Sequence, residues 1–163
     1  MNRLFQTLAI SLAMVLAAPA PAAERLPMAK DFKADARVAA RERKPIVVFF
    51  SSEDCSYCAV VHELYLEPMY RDSKYSRTVV FREVDVDGIL PVRDFMGKSM
   101  DHTEFADQEG ATFTPLIKFY GARGEEVAPE LLGYSSPDFY QGFLEAAIET
   151  ALARSRDDKV ARQ

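Results

Sequence analysis

The stretch Lys44-Pro-Ile-Val-Val-Phe-Phe-Ser-Ser-Glu-Asp-Cys-Ser-Tyr-Cys58 carries most of the information about the fold. Ile46–Phe50 is a continuous run of β-branched and aromatic residues between a proline and two serines, which is typical of a strand covered on both faces. The cysteines follow where this strand ends. A helix is predicted from Cys55 to about Glu67, with Pro68 stopping or kinking it. The stretch therefore predicts a buried strand followed by a helix that has the Cys-X-X-Cys pair at its N-terminus.

The sequence on either side of this stretch predicts an alternating α/β domain. Helices are predicted at 31–43, about 103–108 and 136–153, strands at 78–86, 116–120 and 126–133, a loop at 88–101 and a turn at 121–124. Asp31 and Ser136 are the predicted N-caps of the first and last helices. A strand–helix–strand unit makes a parallel pair, whereas a tight turn makes an antiparallel one. We therefore expect a mixed four-stranded sheet flanked by helices, in one domain at 23–153, followed by a solvated tail at 154–163.

The N-terminal segment 1–22 has the pattern of a secretory signal. A short basic start precedes an apolar run at 8–18, and small residues follow, so we expect cleavage after Ala22 or Ala23. The apolar run is about 11 residues long, roughly half of what a bilayer-spanning helix needs. A leader that is retained as a membrane anchor is the alternative. Export to the periplasm is expected, where the oxidising conditions allow disulfides to persist.

Composition narrows the possible functions. The 163 residues include 20 basic and 25 acidic side chains, which give a net charge of −5. An acidic domain without a basic cluster is a poor candidate for binding nucleic acid. Two cysteines are too few for a multi-disulfide scaffold or a four-cysteine zinc site. The length has room for one compact domain but not for a separate dimerisation domain, so we expect a monomer. No resident cofactor or metal is expected.

The position of the two cysteines predicts redox chemistry. Unpaired amides and the helix dipole stabilise a thiolate at Cys55, while Cys58 is one turn inward, faces the protein and can close a disulfide. This is the arrangement of a nucleophile and a resolving thiol. One alternative is an inert structural disulfide, although so short a loop would contribute only about 2 kcal/mol. The other is a copper(I)-binding chaperone that uses Cys55, Cys58 and His62, since His62 falls on the same helical face.

The whole pattern over residues 30–153 resembles the thioredoxin superfamily. The shared features are the order of elements, the Cys-X-X-Cys pair at the start of a helix, and Thr114-Pro115 directly before a strand. Within the superfamily, the stretches 44–58 and 129–140 are similar to the secreted, SoxW-like thioredoxin group. The resemblance implies a thioredoxin-like α/β fold and a thiol:disulfide oxidoreductase.

The resemblance also implies roles for individual residues. Cys55 would be the nucleophile and Cys58 the resolving thiol. Pro115 would be a cis-proline opposite the disulfide, and Thr114 would offer its backbone to an extended substrate segment. Tyr57 stands where periplasmic disulfide isomerases have a tyrosine before the second cysteine, and we expect it to contact the substrate.

The sequence departs from the thioredoxin pattern near the cysteines. Thioredoxins have a tryptophan where this chain has Asp54, and a buried aspartate where it has Phe49. The usual proton acceptor for Cys58 is therefore missing. Glu83 on the next strand is a candidate substitute for this proton transfer, because a carboxylate near the thiols is suited to it. The competing interpretation of Glu83 is an ordinary acid near a strand end.

The acidic pair before the nucleophile bears on the direction of the reaction. Glu53 and Asp54 oppose a thiolate at Cys55, and a less stabilised thiolate makes the disulfide less oxidising. We therefore expect a reductant of exported, cysteine-containing client proteins. By resemblance, its electron donor would be a membrane thiol transporter of the DsbD/CcdA type. The long loop at 88–101 is a hypothetical determinant of partner choice.

Overall fold

The computed structural model describes residues 25–135 and 137–157. Its strands are β1 (Ile46–Ser51), β2 (Val80–Asp85), β3 (Pro91–Arg93), β4 (Ser99–Asp101), β5 (Leu116–Tyr120) and β6 (Glu126–Leu132). Its helices are α1 (Phe32–Glu42), α2 (Ser56–Val61), a π-helical turn (His62–Leu66), α3 (Glu67–Arg71), α4 (Ser73–Ser76), α5 (His102–Gln108) and α6 (Pro137–Arg156). The predicted strand at 116–120 has the predicted bounds, and the Asp31 side chain caps α1 as predicted, by accepting from the Ala34 amide.

The central sheet is mixed and four-stranded, as predicted. Its spatial order is β2-β1-β5-β6. The pair β1/β2 is parallel, because α2 to α4 form the crossover between these strands, and the pairs β1/β5 and β5/β6 are antiparallel. The strand β1 is therefore internal, and all six of its residues are buried.

Alternate residues of β1 contribute to two hydrophobic cores on opposite faces of the sheet. Val47 and Phe49 belong to the core beneath the cysteine-bearing helix and α6. Ile46, Val48 and Phe50 belong to the core beneath α1 and α5. This double burial explains why the strand has an uninterrupted apolar sequence.

The helix after the cysteines differs from the prediction. It does not end or break at Pro68, because α2, the π-helical turn and α3 run on without interruption to Arg71. In the π-helical turn the Glu67 amide donates to the carbonyl of His62, five residues earlier. Pro68 directly follows this wider turn, as the second residue of α3, and the helix continues past it.

The predicted loop at 88–101 contains a small antiparallel hairpin, β3 and β4. Its buried residues Val92 and Met100 complete the core beneath α1 and α5. The hairpin is joined to the segment before α1 by a bridge between Asp31 and Arg93. These long-range contacts stabilise strands that are too short to show a period of two in the sequence.

Two further predictions concern the ends of the chain. The helix α6 extends to Arg156, three residues into the predicted tail. The predicted signal segment and the predicted N-cap Ser136 lie outside the described residues. Among the residues that are described, no helix has both the length and the apolar character needed to cross a membrane.

Candidate active site

The end of β1 and the start of α2 together position the two sulfur atoms. Cys55 has an extended backbone and is the N-cap of α2, and its sulfur accepts a hydrogen bond from the Cys58 amide at 3.1 Å. The sulfurs of Cys55 and Cys58 form a disulfide with an S–S distance of 2.09 Å. The helix N-terminus thus directs an amide at the sulfur of Cys55, the arrangement that stabilises a thiolate after reduction.

The two cysteines differ in their access to water. Cys55 is half-buried, whereas Cys58 is 3% exposed and packs within the core that contains Phe49 and Val61. A disulfide in another protein can therefore approach Cys55 but not Cys58. This asymmetry is what the roles of nucleophile and resolving thiol require.

Pro115 lies at the same end of the sheet as the disulfide. The Thr114–Pro115 peptide bond is cis. Leu116 is paired with Phe50, so Pro115 is next to the end of β1 from which the chain continues to the cysteines. The Pro115 carbonyl accepts from the Gly133 amide at 2.8 Å, which ties it to the segment after β6. The contact of Thr114 and Pro115 with a substrate stays a prediction.

Four tyrosines form a cluster beside the cysteines. Tyr57 is 59% exposed, and its ring lies 5.9 Å from that of Tyr134. The hydroxyls of Tyr134 and Tyr65 share a hydrogen bond of 3.0 Å, and Tyr140 packs beneath both rings. The sequence analysis did not single out Tyr134. Its position one residue after Gly133, whose amide is bonded to Pro115, places it beside the predicted substrate-binding residues.

The carboxylate of Glu83 lies on the same face of the sheet as Phe49, because these residues are direct partners in the parallel pair β1/β2. One of its oxygens accepts from the Ser51 hydroxyl at 2.7 Å. The other is 3.3 Å from Nε2 of His62. Glu83 is therefore part of a partly buried network, rather than a solvated acid at a strand end.

His62 is held between two carboxylates. Its Nδ1 lies 3.1 Å from Glu67, which in turn is paired with Arg71. The hydrogen bond to Glu83 raises the pKa of the imidazole above its usual value, and the negative charges of Glu83 and Glu67 act in the same direction, against burial and Arg25. The sequence analysis missed Glu67, because only the π-helical turn directs it back toward His62.

These contacts bear on the copper alternative. Both ring nitrogens of His62 face carboxylates, so His62 is not directed at the cysteines. In the described part of the chain, no group of three or more histidine, cysteine, aspartate or glutamate side chains is arranged to hold a metal ion. His62, the third copper ligand in that alternative, is therefore held by Glu67 and Glu83.

A mixed sheet with a disulfide at the N-terminus of its first crossover helix and a cis-proline at the same end of the sheet defines the thioredoxin class of redox domains. The sequence matches the thioredoxin-like domain family over residues 32–148, which is more than half of the chain, and the chain belongs to this family. The predicted fold and superfamily are confirmed. A search of the curated proteins finds no match.

Solved structures show the same fold at low sequence identity. Thioredoxin from Malassezia sympodialis superposes with a TM-score of 0.55 and 18% identity, covering 79% of this chain and 95% of that one. For mitochondrial thioredoxin 3 from Saccharomyces cerevisiae the TM-score is 0.51, the identity 15% and the coverage 76% and 93%. For thioredoxin h from poplar these values are 0.50, 20%, 71% and 86%.

Proposed function

We propose that this protein is a periplasmic thiol:disulfide oxidoreductase of the SoxW-like thioredoxin group that reduces disulfides in exported proteins. The observation that carries the proposal is the unequal exposure of two bonded sulfurs at a helix N-terminus, with Cys55 half-buried and Cys58 3% exposed. A purely structural disulfide across four residues would stabilise the fold by only about 2 kcal/mol and would need no such asymmetry.

The reaction transfers two electrons to the client in two displacement steps. In the reduced protein, the Cys55 thiolate attacks one sulfur of the client disulfide, forms a mixed disulfide and releases the other client sulfur as a thiolate. Cys58 then loses its proton and attacks Cys55. The bond between Cys55 and the client breaks, the second client thiolate leaves, and the Cys55–Cys58 disulfide is formed.

The acidic surface before Cys55 supports reduction as the direction. Glu53 and Asp54 are both exposed and precede the nucleophile directly. Their charges oppose the Cys55 thiolate and make the disulfide harder to reduce, which is the property of a reductant. Electrons would then come from a membrane thiol transporter of the DsbD/CcdA type. A redox equilibrium with glutathione tests the direction, and a potential near that of strong oxidants would contradict it.

A trapping experiment tests the activity. In Cys58→Ser the second displacement cannot occur, so we expect Cys55 to accumulate covalently bound clients that a reducing agent releases. Cys55→Ser is the matched control and should trap none, because Cys58 is buried. Insulin reduction should be lost in both variants. Absence of trapped protein in Cys58→Ser would refute the activity.

Export is part of the proposal and has its own test. The predicted signal at 1–22 implies a mature protein that begins at Ala23 or Glu24. N-terminal analysis of the protein recovered from the periplasm should find one of these two residues. An intact Met1 in protein bound to the membrane would instead support a retained anchor.

A further inference from the structure

A partly buried network of titratable side chains lies on the same face of the sheet as Cys58. It consists of His62, Glu83, Glu67 and Arg71, with Ser51 donating to Glu83. The reaction described above assigns it no role. The side chains of His62, Glu67 and Glu83 are all largely shielded from water, so their charges are weakly screened.

His62 lies one helical turn after Cys58. The His62 amide donates to the carbonyls of both Cys58 and Ala59, so the helix continues from Cys58 to His62. In such a turn, the Cβ atoms of residues four apart are separated by about 5–6 Å. The Phe49 ring, which belongs to the same core as Cys58, has its centroid 6.1 Å from that of the His62 imidazole. Cys58 and His62 are therefore neighbours at an apolar boundary.

The charge of this network depends on one proton. Two carboxylates and one guanidinium leave a net negative charge when the His62 ring is neutral, and the network is balanced when the ring is protonated. Arg25 is the other charged group whose field acts on His62. A net negative charge one turn from Cys58 would oppose ionisation of its thiol, whereas a balanced network removes that opposition.

We propose that His62, held protonated between Glu67 and Glu83, is a positioning residue whose positive charge balances these carboxylates and so allows Cys58 to ionise in the resolving step. The inference rests on the proposed function, because only a reaction through a mixed disulfide needs a Cys58 thiolate. Glu83 and Glu67 fix the ring and keep its proton, and Ser51 fixes Glu83. In this proposal Glu83, which the sequence analysis predicts as a proton acceptor for Cys58, acts through His62.

A titration without any client tests this role directly. In a Cys55→Ser background, the ultraviolet absorbance of the thiolate reports the ionisation of Cys58 as a function of pH. Adding His62→Gln should raise the midpoint by about one pH unit, the lower end of the effect that a neighbouring opposite charge has on a pKa. His62→Lys keeps a positive charge and should restore the midpoint, while the exposed neighbour Glu63 provides the control Glu63→Gln, which should not change it.

The kinetic counterpart uses the chain with both cysteines. Reduced protein is mixed with Ellman's reagent, and the lifetime of the mixed disulfide on Cys55 is measured. At neutral pH, His62→Gln should lengthen this lifetime roughly tenfold, in line with one pH unit in the thiol, and the difference should disappear at high pH, where Cys58 ionises unaided.

Two results would overturn the inference: an unchanged midpoint in His62→Gln, or a midpoint in His62→Lys as high as that in His62→Gln, which would show that shape rather than charge matters. Failure of the proposed function is distinguishable. It would leave the titration as expected, with no client reduced or trapped by the protein.

Discussion

At Phe49 the chain has an aromatic ring where the thioredoxin pattern has a buried aspartate, and the carboxylate comes from the neighbouring strand instead. Glu83 is the direct partner of Phe49 across β1 and β2, so it points to the same face. Unlike a lone buried acid, Glu83 is bonded to Ser51 and paired with His62. The carboxylate on this face of the sheet is therefore held within a network of side chains and is not isolated.

Tyr134, like Thr114 and Pro115, lies outside the Cys-X-X-Cys pair and is expected to affect client binding. Its ring flanks the exposed Tyr57, and its backbone adjoins the residue bonded to Pro115. Tyr134→Ala should raise the KM for a peptide disulfide roughly two- to tenfold, the range that corresponds to the loss of one aromatic contact. The redox potential should stay unchanged, because the hydrogen bond and ring contacts of Tyr134 go to other tyrosines.

Tyr134→Phe is the matched control for this prediction. It keeps the ring and removes only the hydroxyl that is bonded to Tyr65. We expect a KM close to that of the unmodified protein. If the two variants raise the KM equally, the hydrogen bond rather than the ring contact is responsible. If Tyr134→Ala shifts the potential, Tyr134 is part of the redox centre and not of the client-binding surface.

At the scale of elements, local signals explain what the sequence predicted well. Asp31 caps α1 with its own side chain, and the apolar strands β1 and β5 are bounded by proline or turn residues. The π-helical turn has no comparable signal, because its wider hydrogen bonding is selected by tertiary packing. The pairing of His62 with Glu67 and Glu83 depends on this turn and on the β1/β2 register. The network therefore could not be predicted from the sequence.

The start of α5 joins three elements through one buried side chain. His102 accepts from the Asp85 amide at Nδ1 (3.1 Å), so its Nε2 carries the proton and donates to the Ala29 carbonyl at 2.9 Å. It thereby connects α5 with the end of β2 and with the segment before α1. Because the ring is fully buried, no water can replace either bond.

His102→Ala should therefore destabilise the protein by about 3 kcal/mol, since it leaves a buried amide and a buried carbonyl without partners and creates a cavity. Urea unfolding measures the effect. The exposed Asp107 of the same helix provides the control Asp107→Ala, which should change the unfolding free energy by less than about 0.5 kcal/mol. A loss below 1 kcal/mol in His102→Ala would show that the element connections do not depend on this residue.

Over the whole molecule, the two faces of the sheet are covered by different elements. One face holds the cysteine-bearing helix, the tyrosine cluster and the His62 network, and the other holds α1, α5 and the β3/β4 hairpin. The hairpin contributes Val92 and Met100 to the second core, so it is a structural element as well as a candidate partner surface. Changes to the hairpin should thus affect stability before they affect the chemistry at Cys55.

The network also links the stability of the whole molecule to pH. The pKa of His62 is raised in the folded protein, chiefly by the hydrogen bond to Glu83, whereas the unfolded value is about 6.5. A group with a raised folded pKa binds its proton more tightly in the folded state. Its stabilising contribution is therefore fully present below about pH 6.5 and is lost as the pH rises through the folded pKa.

We accordingly expect the difference in unfolding free energy between the unmodified protein and His62→Gln to be largest below about pH 6.5 and to shrink at alkaline pH. Urea unfolding of the oxidised proteins at a series of pH values measures this difference without any contribution from thiol ionisation. Glu63→Gln, measured in parallel, should show no such trend. A difference that is constant with pH would mean that His62 packs as a neutral ring, and it would contradict both the charge assigned to the network and its effect on Cys58.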